Sequence, residues 1–202
     1  MFTLFFQYLV YIAAIGSLFA AFVYIRSMLK GGAKPNRITW LMWSIAPLIG
    51  TAAELSNGVR LAALPVFMSG FGPLLVFIAS FAIEGAHWKL TRFDYAYGTL
   101  SALALVLWAL TKDPNFAIVF AIASDALAAI PTIRKAWSNP KTESIAPFAM
   151  STIGNIAALG VASIWAFSYY AFPIYLICIN LLIILIVRRK VARAANKQKT
   201  RK

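Results

Sequence analysis

Charge and reactive side chains are what this sequence has least of. Only 12% of its 202 residues are charged, and its acidic side chains number six. Soluble domains carry about 25% charged residues, so charge is depleted by about half. There is one His and one Cys. A lone Cys178 excludes a disulfide within the chain, and one His among scattered carboxylates offers no metal-ligating cluster. There is no glycine-rich phosphate loop, and no serine stands beside a base spaced to activate it. The sequence therefore predicts a protein that is not an enzyme and takes no cofactor and no metal.

What the chain does have is apolar length. Hydrophobic residues make up 61% of it, with a mean hydropathy of +0.77. Residues 2–25 carry no charge, and neither do residues 64–83. About 20 apolar residues span a bilayer. Seven spans are predicted, at 2–25, 38–56, 64–83, 95–111, 116–133, 145–166 and 170–187. The N-terminus shows neither a basic region nor a cleavage site, so the first helix is expected to be retained rather than removed as a signal peptide.

The net charge of +13 invites a nucleic-acid reading, but its distribution argues for a membrane one. All Lys and Arg except Arg60 and Lys112 fall in four segments: 26–37, 89–92, 134–141 and the tail from Arg188. If the N-terminus is outside, all four face the cytoplasm, as the positive-inside rule requires. The expected location is the cytoplasmic (plasma) membrane of a bacterium, N-terminus outside and C-terminus inside. No nucleic-acid partner is predicted. The tail RRKVARAANKQKTRK is expected to meet anionic lipid headgroups, and a homo-oligomer is compatible with such a chain. Trp40, Trp43, Trp88 and Trp137 near inner ends, with Trp108 and Trp165 near outer ends, read as an aromatic belt.

A weak internal repeat organises the spans. At a shift of 108, Ala13, Ala20, Ala21, Ile25 and Arg26 fall on Ala121, Ala128, Ala129, Ile133 and Arg134. At 104, Ile49, Gly50, Ala53 and Leu55 fall on Ile153, Gly154, Ala157 and Leu159. At 108 again, Pro65, Leu74 and Ile78 fall on Pro173, Leu182 and Ile186. The fourth segment has no counterpart, and Asp94 is its expected N-cap. The predicted fold is an all-α integral membrane protein with seven transmembrane helices, arranged as two parallel three-helix bundles joined by a linker helix. Residues 1–87 form the first bundle, 88–115 the linker helix and its loops, 116–187 the second bundle and 188–202 a basic cytoplasmic tail.

Polar residues inside the spans are the candidate site. Asp125 lies mid-span, where an Asp costs roughly 2.5–3.5 kcal/mol to insert and commonly marks a pathway or a proton relay. Asn155 and Asn180 lie at similar depth on the next two helices. The first half answers with Ser17 at the place of Asp125, Thr51 at that of Asn155 and Gly72 at that of Asn180. The predicted solute contacts are Asp125, Asn155, Asn180, Thr51 and Gly72. Asp125 and Glu54 are the proton-coupling candidates. Glu84 and His87 read as an interfacial pair. Pro47, Pro73, Pro131 and Pro147 are expected to kink or break helices, with Pro131 and Pro73 as the hinge candidates.

The stretch DALAAIPTIRKAWSNPKTESIAPFAMSTIGNIAALG, followed by PIYLICINLLIILIVRRK, resembles the PQ-loop and SWEET/SemiSWEET superfamily. Pro131-Thr132 stands where that family carries a proline-glutamine pair. KTES stands at its polar loop, and Pro173 with Asn180 in its third helix. FVYIRSMLKGGAKPNRITWLMW is a fainter copy, with Val23-Tyr24 at the pair. The glutamine is absent from both halves, and the second and sixth helices lack a tryptophan where sugar-binding members place one. Asp125 is similar to acidic residues of proton-coupled PQ-loop carriers of amino acids. The resemblance implies alternating access around a central path, with Pro131 as a hinge and Asn180 as a solute contact. Seven-helix vitamin carriers share the plan, but no aromatic stacking group for such a solute is evident. The expected function is transport of a small polar solute, proton-linked through Asp125. The alternative is a non-transporting membrane receptor or accessory protein on the same fold.

Overall fold

The computed structural model describes residues 2–84, 88–111 and 113–199. Seven α-helices make up nearly all of it, and no strand occurs among the described residues. They are α1 (Phe2–Leu29), α2 (Arg37–Ser56), α3 (Leu64–Ala82), α4 (Arg92–Thr111), α5 (Pro114–Ser138), α6 (Ala146–Val161) and α7 (Phe167–Lys199). Short 3-10 turns, Leu61–Ala63 and Pro140–Thr142, precede α3 and α6. Five helices are long and apolar enough to cross a membrane: α1, α2, α3 with its leading turn, α5 and α7. The sixth is apolar but has only 16 residues, about 24 Å at 1.5 Å per residue. The fourth has 20 residues, and Arg92, Asp94, Tyr95, Tyr97, Thr99 and Ser101 dilute its first half.

The outward face of α1 is strongly apolar. Phe5, Tyr8, Ile12, Ile15, Phe19 and Phe22 are all exposed. A contiguous apolar surface of this kind is costly in water and compatible with a multi-pass membrane protein.

Local chemistry sets the helix ends. Asn36 precedes α2, and its side-chain oxygen accepts from the backbone N–H groups of Ile38 and Thr39. Asp113 does the same for Asn115 and Phe116 at α5, where Pro114 supplies a pre-set first turn. The α4 start differs from expectation. Thr91 stands before the helix and Asp94 lies inside its first turn, accepting from the Thr91 N–H and hydroxyl at 2.6 and 2.7 Å. This is half of a capping box. Pro147 sits in the first turn of α6, where a missing N–H costs nothing, so it breaks no helix. Pro47, Pro73, Pro131 and Pro173 lie inside helices. The tail expected from residue 188 continues α7 as helix to Lys199. Its side chains from Lys190 onward lie outside the described ones, so the headgroup contact expected there has no structural counterpart. His87 also lies outside the described residues, and Glu84 follows the end of α3.

The packing follows a regular scheme. The third helix lies against both α1 and α2, which scarcely touch each other. The seventh lies in the same way against α5 and α6. Across the two groups, α1 packs on α6 and α2 on α5. The fourth helix packs on α5 and, less extensively, on α2. The alanines matched by the repeat are all buried: Ala13, Ala20 and Ala21 on α1, and Ala121, Ala128 and Ala129 on α5. Small residues let helix backbones approach closely where no hydrophobic effect drives association. The matched glycines are buried too: Gly50 lies under the Phe172 ring, and Gly154 against Ala13 and Pro65.

Candidate solute cavity

A cavity lies among α1, α2, α3, α5, α6 and α7, with about 60 Å³ open to the centres of water molecules. That is room for about two waters at the roughly 30 Å³ each takes in the liquid. Its wall brings together residues matched by the repeat. Ser17 and Asp125 both line it, as do Gly72 and Asn180, Met68 and Leu176, and Trp43 and Pro147. Pro73, Ser69, Ser151 and Phe148 complete most of the rest.

Asp125 is 2% exposed and projects from the middle of α5. The Tyr175 hydroxyl of α7 donates to its Oδ2 at 2.6 Å. The Trp43 indole N–H donates to its backbone carbonyl at 3.3 Å. Trp43 thus ties α2 to α5 beside the carboxylate. Its ring packs edge-on against Phe148 at 5.8 Å and Trp40 at 5.9 Å.

Another part of the wall is a chain of amides and hydroxyls. Asn180 Nδ2 donates to Ser151 Oγ at 2.9 Å, and Ser151 Oγ meets Ser69 Oγ at 3.0 Å. Asn155 lies behind this chain, its amide donating to the Ser151 carbonyl at 2.8 Å. Its Oδ1 is buried without a partner.

Three of the five predicted contacts, Asp125, Asn180 and Gly72, therefore share one cavity. Two do not line it. Asn155 is wholly buried and braces Ser151 instead. Thr51 turns back on its own helix and donates to the Pro47 carbonyl at 2.8 Å, as Thr does one turn along a helix. Glu54 is 1% exposed, has no hydrogen-bond partner at either oxygen and lies off the cavity. Of the two hinge candidates, Pro73 lines the cavity. Pro131 is buried beside Thr91, Asp94 and Arg134 in a separate space between α4 and α5.

Sequence reasoning missed Tyr175 and misassigned two tryptophans. Trp40 and Trp43 are 2% and 7% exposed and line the cavity, so neither belongs to an interfacial belt. Trp137 and Trp165 are largely exposed, as belt residues would be. The Trp108 side chain lies outside the described ones. Mean spacing could not separate the two kinds. A usable signal was present in Trp40 and Trp43 being three apart, which puts them on one helix face.

Below Trp40 the bundle is closed at its basic end. The Tyr24 ring lies 4.6 Å from that of Trp40, and the Tyr24 hydroxyl donates to Glu143 at 3.2 Å. Glu143 forms a buried ion pair with Lys135, whose ammonium also donates to the Lys34 backbone carbonyl. Nearby, the Asn36 amide donates to Asp94 at 2.8 Å, and the Trp88 N–H to the Pro35 carbonyl at 2.9 Å. These bonds, with one from the Lys34 backbone N–H to the Thr142 carbonyl at 3.3 Å, tie the α1–α2 loop to the α3–α4 loop, α4, α5 and the α5–α6 loop.

Comparison with family models, with curated proteins and with solved structures found no match.

Proposed function

We propose that this protein is a membrane transporter that moves a small polar solute by alternating access. In this reading it is a divergent relative of the PQ-loop and SWEET proteins it resembles. Its seven helices cross the cytoplasmic membrane as two parallel three-helix bundles joined by α4, with the N-terminus outside. The observation that carries the reading is the cavity itself. Positions matched by the repeat meet on its wall as pairs, Ser17 with Asp125 and Gly72 with Asn180, and repeated halves commonly build a central site. The packing supports the same plan: α3 sits between α1 and α2 as α7 sits between α5 and α6, and α1 on α6 mirrors α5 on α2.

Movement is supplied by the prolines. Pro73 and Pro131 remove backbone bonds inside α3 and α5, leaving points where a helix can bend at low cost. Opening at the basic end requires Glu143 to part from Tyr24 or Lys135. Asp125 is the proton-coupling residue, because its carboxylate is the only charged group on the cavity wall among the described residues. Glu54, whose carboxylate has no hydrogen-bond partner among the described residues, is the second candidate.

The test is solute flux into proteoliposomes under an imposed pH gradient. Asp125→Asn abolishes the pH-driven component, while Thr51→Val, off the cavity, leaves it nearly intact. Unchanged pH-driven flux in the Asp125→Asn protein rejects the coupling. One observation favours a second reading, a receptor or accessory protein on the same fold. Asn155, Asn180, Ser69 and Ser151 are bonded to one another, as in a static core. Solute binding with no flux under any gradient decides for that reading.

A further inference from the structure

We infer that the solute is a small protonated amine that carries no carboxylate. The inference rests on the cavity being a solute site, whether for transport or reception, and it deepens that assignment. It follows from an inventory of charge and hydrogen-bonding atoms. Among the described residues Asp125 is the one charged residue on the wall, and none of the described Lys or Arg side chains lines it. Its Oδ2 accepts from Tyr175, which leaves the carboxylate further acceptor capacity. Asn180 gives one amide N–H to Ser151 and keeps its carbonyl oxygen, another acceptor, together with a second, uncharged N–H.

The indole donors are already spent or turned away. The Trp43 N–H goes to the Asp125 backbone carbonyl. The Trp40 N–H is wholly buried and so does not face the space. What remains to donate is uncharged: serine hydroxyls and the second Asn180 N–H.

Such a wall favours a ligand that brings its own N–H donors and a positive charge. The Trp43 ring adds to this, since indole faces attract cations. A carboxylate on the ligand would be desolvated beside Asp125 with no cation to meet it, at a high cost. An amino acid is disfavoured for that reason, and a neutral sugar forgoes the one charge the wall provides. Met68, Leu176 and Ile179 give the rest of the space an apolar lining suited to a short hydrocarbon body.

A consequence follows for coupling. A proton and an ammonium group compete for the same Asp125 carboxylate, so coupling through it has the sense of exchange, with amine moving one way and proton the other.

The experiment uses the full chain in nanodiscs and four probes of matched size: n-propylammonium, 1-propanol, propionate and β-alanine. Binding is read by thermal shift and by tryptophan fluorescence. Propylammonium should raise the unfolding midpoint in a saturable way, and the other three should not. Asp125→Asn should weaken propylammonium binding at least tenfold, and Trp43→Leu several-fold. Wild-type selectivity among the four probes decides the matter even where Asp125→Asn does not fold.

The inference is overturned if β-alanine, propionate or propanol binds as well as the amine, if none of the four binds, or if folded Asp125→Asn retains full affinity. Its failure is separable from failure of the transport reading. Amine binding without flux sinks transport and leaves this inference standing. Flux of an anion or a sugar does the reverse.

Discussion

The stretches 2–82 and 114–187 share a packing scheme and differ in chemistry. Each places its third helix between the first two, and each buries matched alanines and glycines. Yet where the second presents Asp125 and Asn180 to the cavity, the first presents Ser17 and Gly72. At the basic end the second contributes a buried ion pair, Lys135 with Glu143. The first holds Arg37 on the Ser80 hydroxyl and carbonyl and over the Phe81 ring. The scaffold constrains small residues at helix contacts because any added atom there meets a neighbour. The cavity wall is free of that constraint, so polar groups can be concentrated on one side.

The ion pair is where this contrast breaks most visibly. Glu143→Gln strands Lys135 in the interior and should lower stability by about 3–5 kcal/mol, measured as thermal unfolding in detergent. Replacing both partners, Lys135→Met with Glu143→Leu, should cost far less. Ser80→Ala on the other side removes one hydroxyl partner from Arg37 and should cost about 1 kcal/mol. Equal losses from Glu143→Gln and Ser80→Ala would erase the distinction.

Glu54 departs from the scheme in the opposite direction, since it occupies the place of the buried Ala158 at a shift of 104. Neither of its oxygens has a partner, and an unsatisfied buried polar group costs about 1–3 kcal/mol. Glu54→Met should therefore raise the unfolding midpoint. A fall would show that the carboxylate serves the fold.

The two glycines sharpen the comparison further. A Cβ at Gly50 would lie 2.6 Å from the buried Phe172 ring, whereas at Gly154 the nearest atoms are 3.3 Å away. Gly50→Ala should cost about 1–3 kcal/mol and Gly154→Ala clearly less, by the same unfolding measurement. The smallest difference is expected between Thr51 and Asn155. Thr51→Val loses one bond within its own helix. Asn155→Leu loses polar contacts that reach Ser69 on α3, each worth on average about 0.6 kcal/mol.

Much of the helical layout was legible because its signals are local and strong. Uncharged runs of about 20 residues, with Asn36-Arg37, Asp113-Pro114 and the Gly58 turn between them, mark helices and their ends from sequence alone. The early stop of α6 was not legible. Residues 162–166 are as apolar as the helix before them, and nothing in ASIWA signals a break. The site was half legible. Asp125 and Asn180 stand out because polar atoms in a span need a reason. Which face they point to depends on the rotation of each helix against its neighbours, and that is a tertiary property. The same applies to Thr51 and Asn155, whose partners lie on their own or adjacent helices, and to Trp40 and Trp43. A tryptophan near a helix end reads identically whether it meets lipid or a cavity. Tyr175 carried no signal, because its role exists only opposite Asp125.

The exchange of contacts between the two stretches has a practical corollary. Because α1 rests on α6 and α2 on α5, each portion presents a broad, matching face to the other rather than a single seam. A gene divided between the codons for Thr111 and Asp113 should therefore yield two polypeptides that find one another in the bilayer. Co-purification of the untagged piece with the tagged one would make this protein a two-component assembly in which either portion can be altered independently.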